Sequence, residues 1–194
     1  GINSVEYKDG RRVNLASYIE MALRTSEHRT VLEAQGKKRD EWGVYTVTSP
    51  AIHSTCETCQ KWQGKVLIDD VFSHGKPDGK TPLVSEAIAP PSHFLGPNCR
   101  HPLLTFFPGV TKVPKQSPLD KTRKNYEAEQ RQRLIERQIR RWKRRELLAQ
   151  DDNSREDAHK QVLSWQKRMR EHLGENPQLR RLPHREKVLG ITPF

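Results

Sequence analysis

The residues with the clearest chemical potential are three cysteines, which all fall within one window of the chain. Cys56 and Cys59 form a Cys-x-x-Cys pair, and Cys99 follows with histidines on either side. Two thiolates three residues apart can hold one ion from a tight turn, and a distant cysteine can help to close a tetrahedron around it. These are ligands that zinc prefers. The sequence therefore predicts a zinc site that includes Cys56, Cys59 and Cys99.

The fourth ligand of this site is a histidine whose identity the spacing leaves open. His101 is two residues after Cys99 and is the first choice, while His93 and His53 are alternatives within reach. A site closed by four protein ligands leaves no open position for water. We therefore expect the zinc to stabilise the fold rather than to catalyse a reaction.

Other uses of the cysteines fit the pattern less well. Three cysteines cannot all pair, and the composition is not that of a disulfide-dense secreted protein. A redox Cys-x-x-Cys normally opens a helix after a strand of a parallel sheet, whereas residues 62–68 predict a turn into a strand. A zinc deaminase needs a His-x-Glu motif before its cysteine pair, and none precedes Cys56. Three buried thiols without a metal are the remaining alternative.

Composition restricts the partners. The chain has 194 residues, of which 33% are hydrophobic and 30% charged, and its formal net charge is +11. The small apolar fraction predicts that part of the chain packs on something else, and the positive charge favours a polyanion or an acidic protein surface. Because no run of about 18 apolar residues occurs, we expect no membrane span. The chain starts at Gly1 rather than Met, so we expect a processed or truncated piece of a longer protein.

The predicted fold class is α+β, with a small zinc-stapled domain that contains strands and an N-terminal helix, followed by a basic helical extension. Asn14 can cap the first helix. The apolar stripe after it predicts a helix that continues through Leu32 and ends near Gly36. Residues 1–13 are polar, with a turn at Asp9-Gly10.

Three short apolar runs predict the strands of this domain. They are rich in β-branched and aromatic residues and lie at 44–48, 65–68 and 103–107. The loop at 73–98 has no hydrophobic periodicity, and a loop of this length in a small domain needs something to hold it. Metal ligands at both ends of the loop would do so, which independently favours the zinc site.

The second half of the chain is predicted to be helical. Ser117 and Pro118 have the pattern of a helix start, and this helix runs to about Gln150. A second helix is predicted to begin at Ser154 and to end at Gly174. The expected segments are a first domain at 1–110, a Pro-rich hinge at 111–118, a basic helical hairpin at 119–174 and an irregular tail at 175–194.

The first of these helices carries a dense positive charge. Between residues 131 and 145 there are eight basic residues and one acid, Glu136. Like charges three and four residues apart repel on a helix, and contact with DNA or an acidic protein would relieve that repulsion. The alternative is that the arginines simply form a solvated surface face. The predicted DNA- or partner-binding residues are Arg131, Arg133, Arg137, Arg140, Arg141, Lys143, Arg144 and Arg145.

The order of these motifs resembles the C-terminal portion of the tailed-phage minor capsid protein 2 family, which is related to Mu F-like head-morphogenesis proteins. The resemblance covers roughly residues 1–150. Relatives often have a histidine where Gly96 stands, so His93 is a possible substitute ligand. The motifs are Tyr18–Thr25, His53-x-x-Cys56-x-x-Cys59 with Trp62-Gln-Gly64-Lys65, Gly96-Pro-Asn98-Cys99-Arg100-His101, Phe106-Phe-Pro108-Gly109, and Tyr126 to Arg140.

The resemblance implies a minor virion component at the portal or inner capsid, present in the host cytoplasm during assembly. It implies head assembly or DNA packaging as the role, with the portal, other capsid proteins and packaged DNA as partners and no small-molecule substrate. One alternative is a metal-dependent nuclease or toxin-like enzyme, although Glu57 is the only carboxylate near the histidines. Another is a host-directed nucleic-acid-binding protein. We expect the chain not to be an enzyme.

Overall fold

The computed structural model describes residues 4–113 and 118–188. The chain divides into two compact units, Gly1–Thr122 and Arg123–Phe194, and each contains its own cluster of buried apolar side chains. Helices and two small antiparallel sheets occur together, which confirms the α+β class. No helix among the described residues is long and apolar enough to cross a membrane.

The chain begins with a small hairpin that the sequence did not predict. Strand β1 (Ser4–Glu6) pairs antiparallel with β2 (Arg12–Asn14), and Gly10 adopts a φ of 76° in the turn between them. The turn at Asp9-Gly10 is confirmed. The strands are only three residues long and largely polar, so they gave no alternating pattern to detect.

The first helix, α1 (Leu15–Trp42), starts where predicted but ends later. The Asn14 side chain accepts a hydrogen bond from the backbone N–H of Ser17 at 3.3 Å, which confirms the predicted cap. The prediction that the helix ends near Gly36 is wrong. The helix ends at Trp42, and the next residue, Gly43, caps it with a left-handed φ of 66° and an N–H donated to carbonyl oxygens of the last turn.

Gly36 serves close packing instead of helix termination. A Cβ built at this position would lie 1.8 Å from the backbone oxygen of Phe72, so only glycine allows the two segments to approach. One turn further on, Arg39 is fully buried and pairs with the buried carboxylate of Asp69 at 2.6 Å. These contacts hold the last turns of α1 against the loop that follows residue 68. The helix therefore continues beyond the expected end at Gly36.

The second sheet has the order β4-β3-β5 and is antiparallel throughout. All three predicted strands are present, although each is shorter than its apolar run because pairing covers only part of it. The strands are β3 (Thr46–Thr48), β4 (Val66–Ile68) and β5 (Leu104–Thr105).

Two short helices lie in segments predicted to be turn or loop. Helix α2 (Glu57–Gln60) follows Cys56 directly, so the cysteine pair does open one helical turn, but the neighbouring sheet is antiparallel rather than parallel. Helix α3 (Val84–Ile88) lies in the long loop and buries Val84 and Ala87 in the core of the first unit. A five-residue helix is too short to give a periodic pattern.

Two long helices dominate the rest of the chain. They are α4 (Leu119–Leu147) and α5 (Asp152–Glu175), and Ile135, Ile139 and Met169 form their buried contact. The predicted start at Ser154 is three residues late. Asp151 is the cap, since its side chain accepts from the backbone N–H of Ser154 at 2.8 Å.

The segment after α5 contains a 3-10 helix, Pro183–Glu186, within the predicted irregular tail. It contacts α4 through polar groups, because Gln132 donates to the carbonyl oxygen of Arg180 at 2.8 Å. Residues 114–117 of the predicted hinge, including Ser117, and residues 189–194 lie outside the described residues. The boundaries of the four predicted segments therefore stay a prediction.

Candidate metal centre

The cysteine pair is positioned by α2. Cys56 has the extended backbone of a residue that precedes a helix, with φ −75° and ψ 158°, and the carbonyl oxygen of Cys56 accepts from the N–H of Gln60 at 3.1 Å. Cys59 lies within the single helical turn and is buried in the core of the first unit. The short helix thus carries one buried thiol, that of Cys59, while Cys56 stands just before it.

The other side of the centre comes from the loop before β5. Leu95 and Asn98 both have positive φ, of 55° and 62°, and the N–H of Cys99 bonds to the carbonyl oxygen of Gly96 at 3.0 Å. Helix α1 supports this loop, because Nε2 of His28 lies 3.1 Å from the carbonyl oxygen of His101. The tight turns direct Cys99 and His101 toward α2.

Cys59, Cys99 and His101 come together in one cluster, with their ligand atoms all within 4.8 Å of one another. Sγ of Cys99 lies 3.2 Å from Nδ1 of His101. A tetrahedral zinc ion, with bonds of about 2.3 Å to sulfur and about 2.1 Å to nitrogen, places neighbouring ligand atoms roughly 3.5 Å apart. The cluster could therefore hold a metal ion, and its donor set suits zinc.

The two clustered thiols have strongly different acidities. A hydrogen bond from Cys59 lowers the pKa of Cys99, and the neighbouring His101 lowers it further. The same hydrogen bond with Cys99, together with burial, raises the pKa of Cys59. Because cysteine sulfur binds a metal as the thiolate, metal binding at this pair would be accompanied by release of thiol protons.

Not every predicted ligand lies in the cluster. Cys56 neighbours Cys59, but its Sγ lies 3.3 Å from the hydroxyl of Thr58 and it is not among the three clustered residues. His53 and His93 are exposed, and of the three candidate histidines, all within the described residues, only His101 is clustered. No carboxylate belongs to this group.

The sequence did not indicate two buried polar residues that lie beside His101. Nε2 of His101 lies 3.3 Å from Oγ1 of Thr55 and also contacts the side-chain amide of Gln63. Thr55 is 2% exposed, Gln63 is 1% exposed and His101 is 3% exposed. The only available signal was that each stands within four residues of a cysteine, which does not distinguish a contact to the histidine.

The eight basic residues of α4 do not form one uniform face. Arg140 donates to the carbonyl oxygen of Arg185, and Arg133 pairs with Glu129 at 3.6 Å. Glu136 is buried near Arg185, and its burial raises the pKa of its carboxyl. The more exposed set is Arg131, Arg137, Arg141 and Arg145, whereas Arg133, Arg140, Lys143 and Arg144 are half-buried.

Trp142 lies within the basic helix and contacts two of its arginines. The guanidinium of Arg145 is 4.6 Å from the centre of the indole ring, and that of Arg141 is 6.0 Å away. Such contacts hold the stems of the two arginines along the indole while the charged groups stay at the surface. They fix part of the direction in which the exposed arginines point.

Comparison with known proteins decides the family. Residues 1–174 match the family described as Phage minor capsid protein 2. The chain belongs to this family. It is thus a phage structural protein, and the resemblance inferred from the motifs is confirmed over a longer stretch than expected. No solved structure is significantly similar to the chain.

Two relatives carry the name "Structural protein". One, from Lactococcus phage LL-H, is 27% identical over 187 residues, which cover 92% of this chain and 50% of the relative. The other, from Lactococcus phage mv4, is 35% identical over 106 residues, which cover 52% of this chain and 85% of the relative. The chain therefore spans about half the length of the LL-H protein that it matches.

Proposed function

We propose that this minor capsid protein lies at the portal or the inner surface of a tailed-phage head and acts in head morphogenesis. Its partners in this proposal are the portal, other capsid proteins and the packaged DNA, and it occupies the host cytoplasm during assembly. Membership of the family supports a place in the virion. The observation that carries the DNA contact is a row of exposed arginines on α4.

This row consists of Arg137, Arg141 and Arg145, which are four residues apart and therefore share one face of the helix. Glu136, the one acid between residues 131 and 145, is buried and does not lie among the exposed charges. Neighbouring cations on one face repel. A DNA backbone relieves this repulsion and releases its own counterions, without any need to read base sequence.

The test compares the salt dependence of duplex-DNA binding in two triple variants with equal loss of charge. In the first, Arg137, Arg141 and Arg145 are changed to Gln. In the control, three cations of α5 that pair with acids, Arg155, Lys160 and Lys167, are changed to Gln. Each phosphate contact contributes about 0.9 to the slope of log affinity against log salt, so the first variant should lose up to about 2.7.

The control variant should keep nearly the wild-type slope, because its cations already have acidic partners. Two duplexes of unrelated sequence should bind equally, whereas strong preference for one would favour the host-directed reader of nucleic acid. If wild-type protein binds DNA weakly at low salt and the first variant matches it, the basic face meets a protein surface. The DNA part of the proposal would then be wrong.

We also propose that the first unit holds a structural zinc ion on Cys59, Cys99 and His101, with Cys56 as the fourth ligand. Three of these residues already form a cluster with suitable spacing. The Cys56 thiol lies next to Cys59 at the start of the same helical turn, so a change of its rotamer is a short path to the ion. Bound zinc would tie α2 to the loop before β5 and so stabilise the first unit.

The zinc site is tested by elemental analysis of freshly purified protein and by hydrogen exchange. We expect one zinc per chain, its loss in Cys59→Ser and His101→Gln, and faster exchange across residues 53–101 in those variants. His93→Gln is the matched control, since His93 is exposed and outside the cluster, and it should retain zinc. Wild-type protein without metal, with all three thiols reacting freely, would refute the site.

A further inference from the structure

The two nitrogens of the His101 ring face different chemistry. Nδ1 lies 3.2 Å from Sγ of Cys99, on the side of the metal cluster. Nε2 lies 3.3 Å from Oγ1 of Thr55 and contacts the side-chain amide of Gln63. A neutral imidazole has one N–H and one lone pair, and a metal takes the lone pair. The residues around Nε2 therefore bear on which nitrogen is available to the metal.

The Thr55 hydroxyl can act as the acceptor in its contact with His101. Oγ1 of Thr55 donates its proton to the carbonyl oxygen of Cys56 at 3.4 Å. With its proton directed to that carbonyl, the hydroxyl has lone pairs free to accept a hydrogen from Nε2 of His101. With the proton on Nε2, Nδ1 has its lone pair available to a metal ion bound at the cluster.

Gln63 can add a second acceptor at the same nitrogen. It sits on the turn that follows α2, where the N–H of Gln63 bonds to the carbonyl oxygen of Gln60 at 3.2 Å and the N–H of Gly64 bonds to that of Ser49 at 2.8 Å. In the structure the amide nitrogen of Gln63 faces Nε2, and rotation of the amide by about 180° brings its oxygen to the same place. The amide oxygen then accepts from the Nε2–H of His101.

We propose that Thr55 and Gln63 are positioning residues that hold His101 with its proton on Nε2, so that Nδ1 binds the metal. This inference rests on the proposed metal site. Ligand histidines usually donate their second ring N–H to a fixed acceptor, and loss of that acceptor commonly weakens metal binding about 10- to 100-fold. A buried Nε2–H without its acceptors would also be left unsatisfied.

The experiment measures zinc affinity of the full chain by competition with a chelating dye. Gln63→Met keeps the size of the side chain and removes the acceptor, so it should bind zinc about 10- to 100-fold more weakly. Gln63→Glu keeps an acceptor and should bind at least as tightly as wild type. Gln60→Met is the matched control, because Gln60 is buried nearby but accepts from Thr122, and it should match wild type.

A second readout needs no variant. Long-range proton–nitrogen NMR of the zinc-loaded wild-type protein, with labelled histidine, should show His101 protonated on Nε2. Zinc binding with the proton on Nδ1, or equal affinity of Gln63→Met and wild type, would overturn the role of Thr55 and Gln63 while the metal site stands. Failure of wild-type protein to bind zinc would overturn both the metal site and this inference.

Discussion

The replacement Gly36→Ala separates the intrinsic preference of a helix from tertiary packing. In the interior of an ordinary exposed helix, this change stabilises by about 1 kcal/mol, because alanine loses less backbone freedom than glycine on folding. In α1 the added Cβ would lie 1.8 Å from the backbone oxygen of Phe72, where real contacts are not shorter than 3.0 Å. The two segments would have to separate by about 1.2 Å.

That separation is resisted on both sides. The N–H of Phe72 bonds to the Asp69 carboxylate at 2.9 Å, and Asp69 is held by buried Arg39 of α1. Overpacking of a well-packed site costs roughly 1–3 kcal/mol, and a fixed backbone places this case near the upper end. After the gain in helix preference, we expect a net loss of about 2 kcal/mol in the unfolding free energy of the first unit.

The assay is urea unfolding at fixed zinc concentration, followed by tryptophan fluorescence. A background with Trp142 and Trp165 changed to Phe leaves only the tryptophans of the first unit as reporters. Ala34→Gly is the matched control: Ala34 is exposed in the same helix, and its replacement should cost about 1 kcal/mol through helix preference alone. If Gly36→Ala is as stable as its parent or more so, the close approach to Phe72 does not restrict this position.

Three further predictions follow from described contacts. Asp69→Asn should destabilise the first unit by about 3–5 kcal/mol in the same urea assay, because it leaves the charge of Arg39 buried without its partner. Hydrogen bonds from the backbone of Thr81 and Lys80 lower the pKa of Asp78 from 3.8 to about 2, so its stabilisation is present above pH 3.8 and is lost as the pH falls toward 2; Asp78→Asn should remove this part of the pH dependence of thermal unfolding. Metal-loaded protein should leave plasmid DNA intact after long incubation, whereas cleavage that disappears in His101→Gln would favour the nuclease alternative.

What could be predicted from the sequence was local. The cap at Asn14 depends on a hydrogen bond from Ser17, three residues away. The Cys-x-x-Cys pair is likewise defined by two residues close together in the chain. The predicted end of α1 and the predicted start of α5 were both placed wrongly, for two different reasons. Gly36 reads as a helix end until the carbonyl of Phe72 is placed beside it, and Ser154 reads as a cap although Asp151 accepts its N–H.

The candidate site shows the same division. The clustering of Cys59 with Cys99 and His101 could be predicted, because cysteine and histidine are the side chains that typically bind zinc. Thr55 and Gln63 are common surface residues, and their burial beside His101 depends on how the turn after α2 folds back. The excess of basic residues in α4 is visible in the sequence. Which arginines are exposed and which contact protein groups depends on Glu129 and on the segment after α5, and no periodicity indicates these contacts.

The buried polar residues of the first unit give a physical reason for a metal in such a fold. Within the described part of this unit, the apolar cluster contains nine buried residues, while Ser54, Thr55 and Gln63 are buried near the candidate ligands and the ligand His101 is itself buried. Polar groups of this kind contribute little net stability even when hydrogen-bonded, and they cost free energy when they are not. Metal–ligand bonds formed only in the folded state add directly to the folding free energy. If the proposed site is correct, the free energy of zinc binding would compensate for the small apolar core. Thr55 and Gln63 would then be buried because they orient the histidine ligand rather than because they fill space.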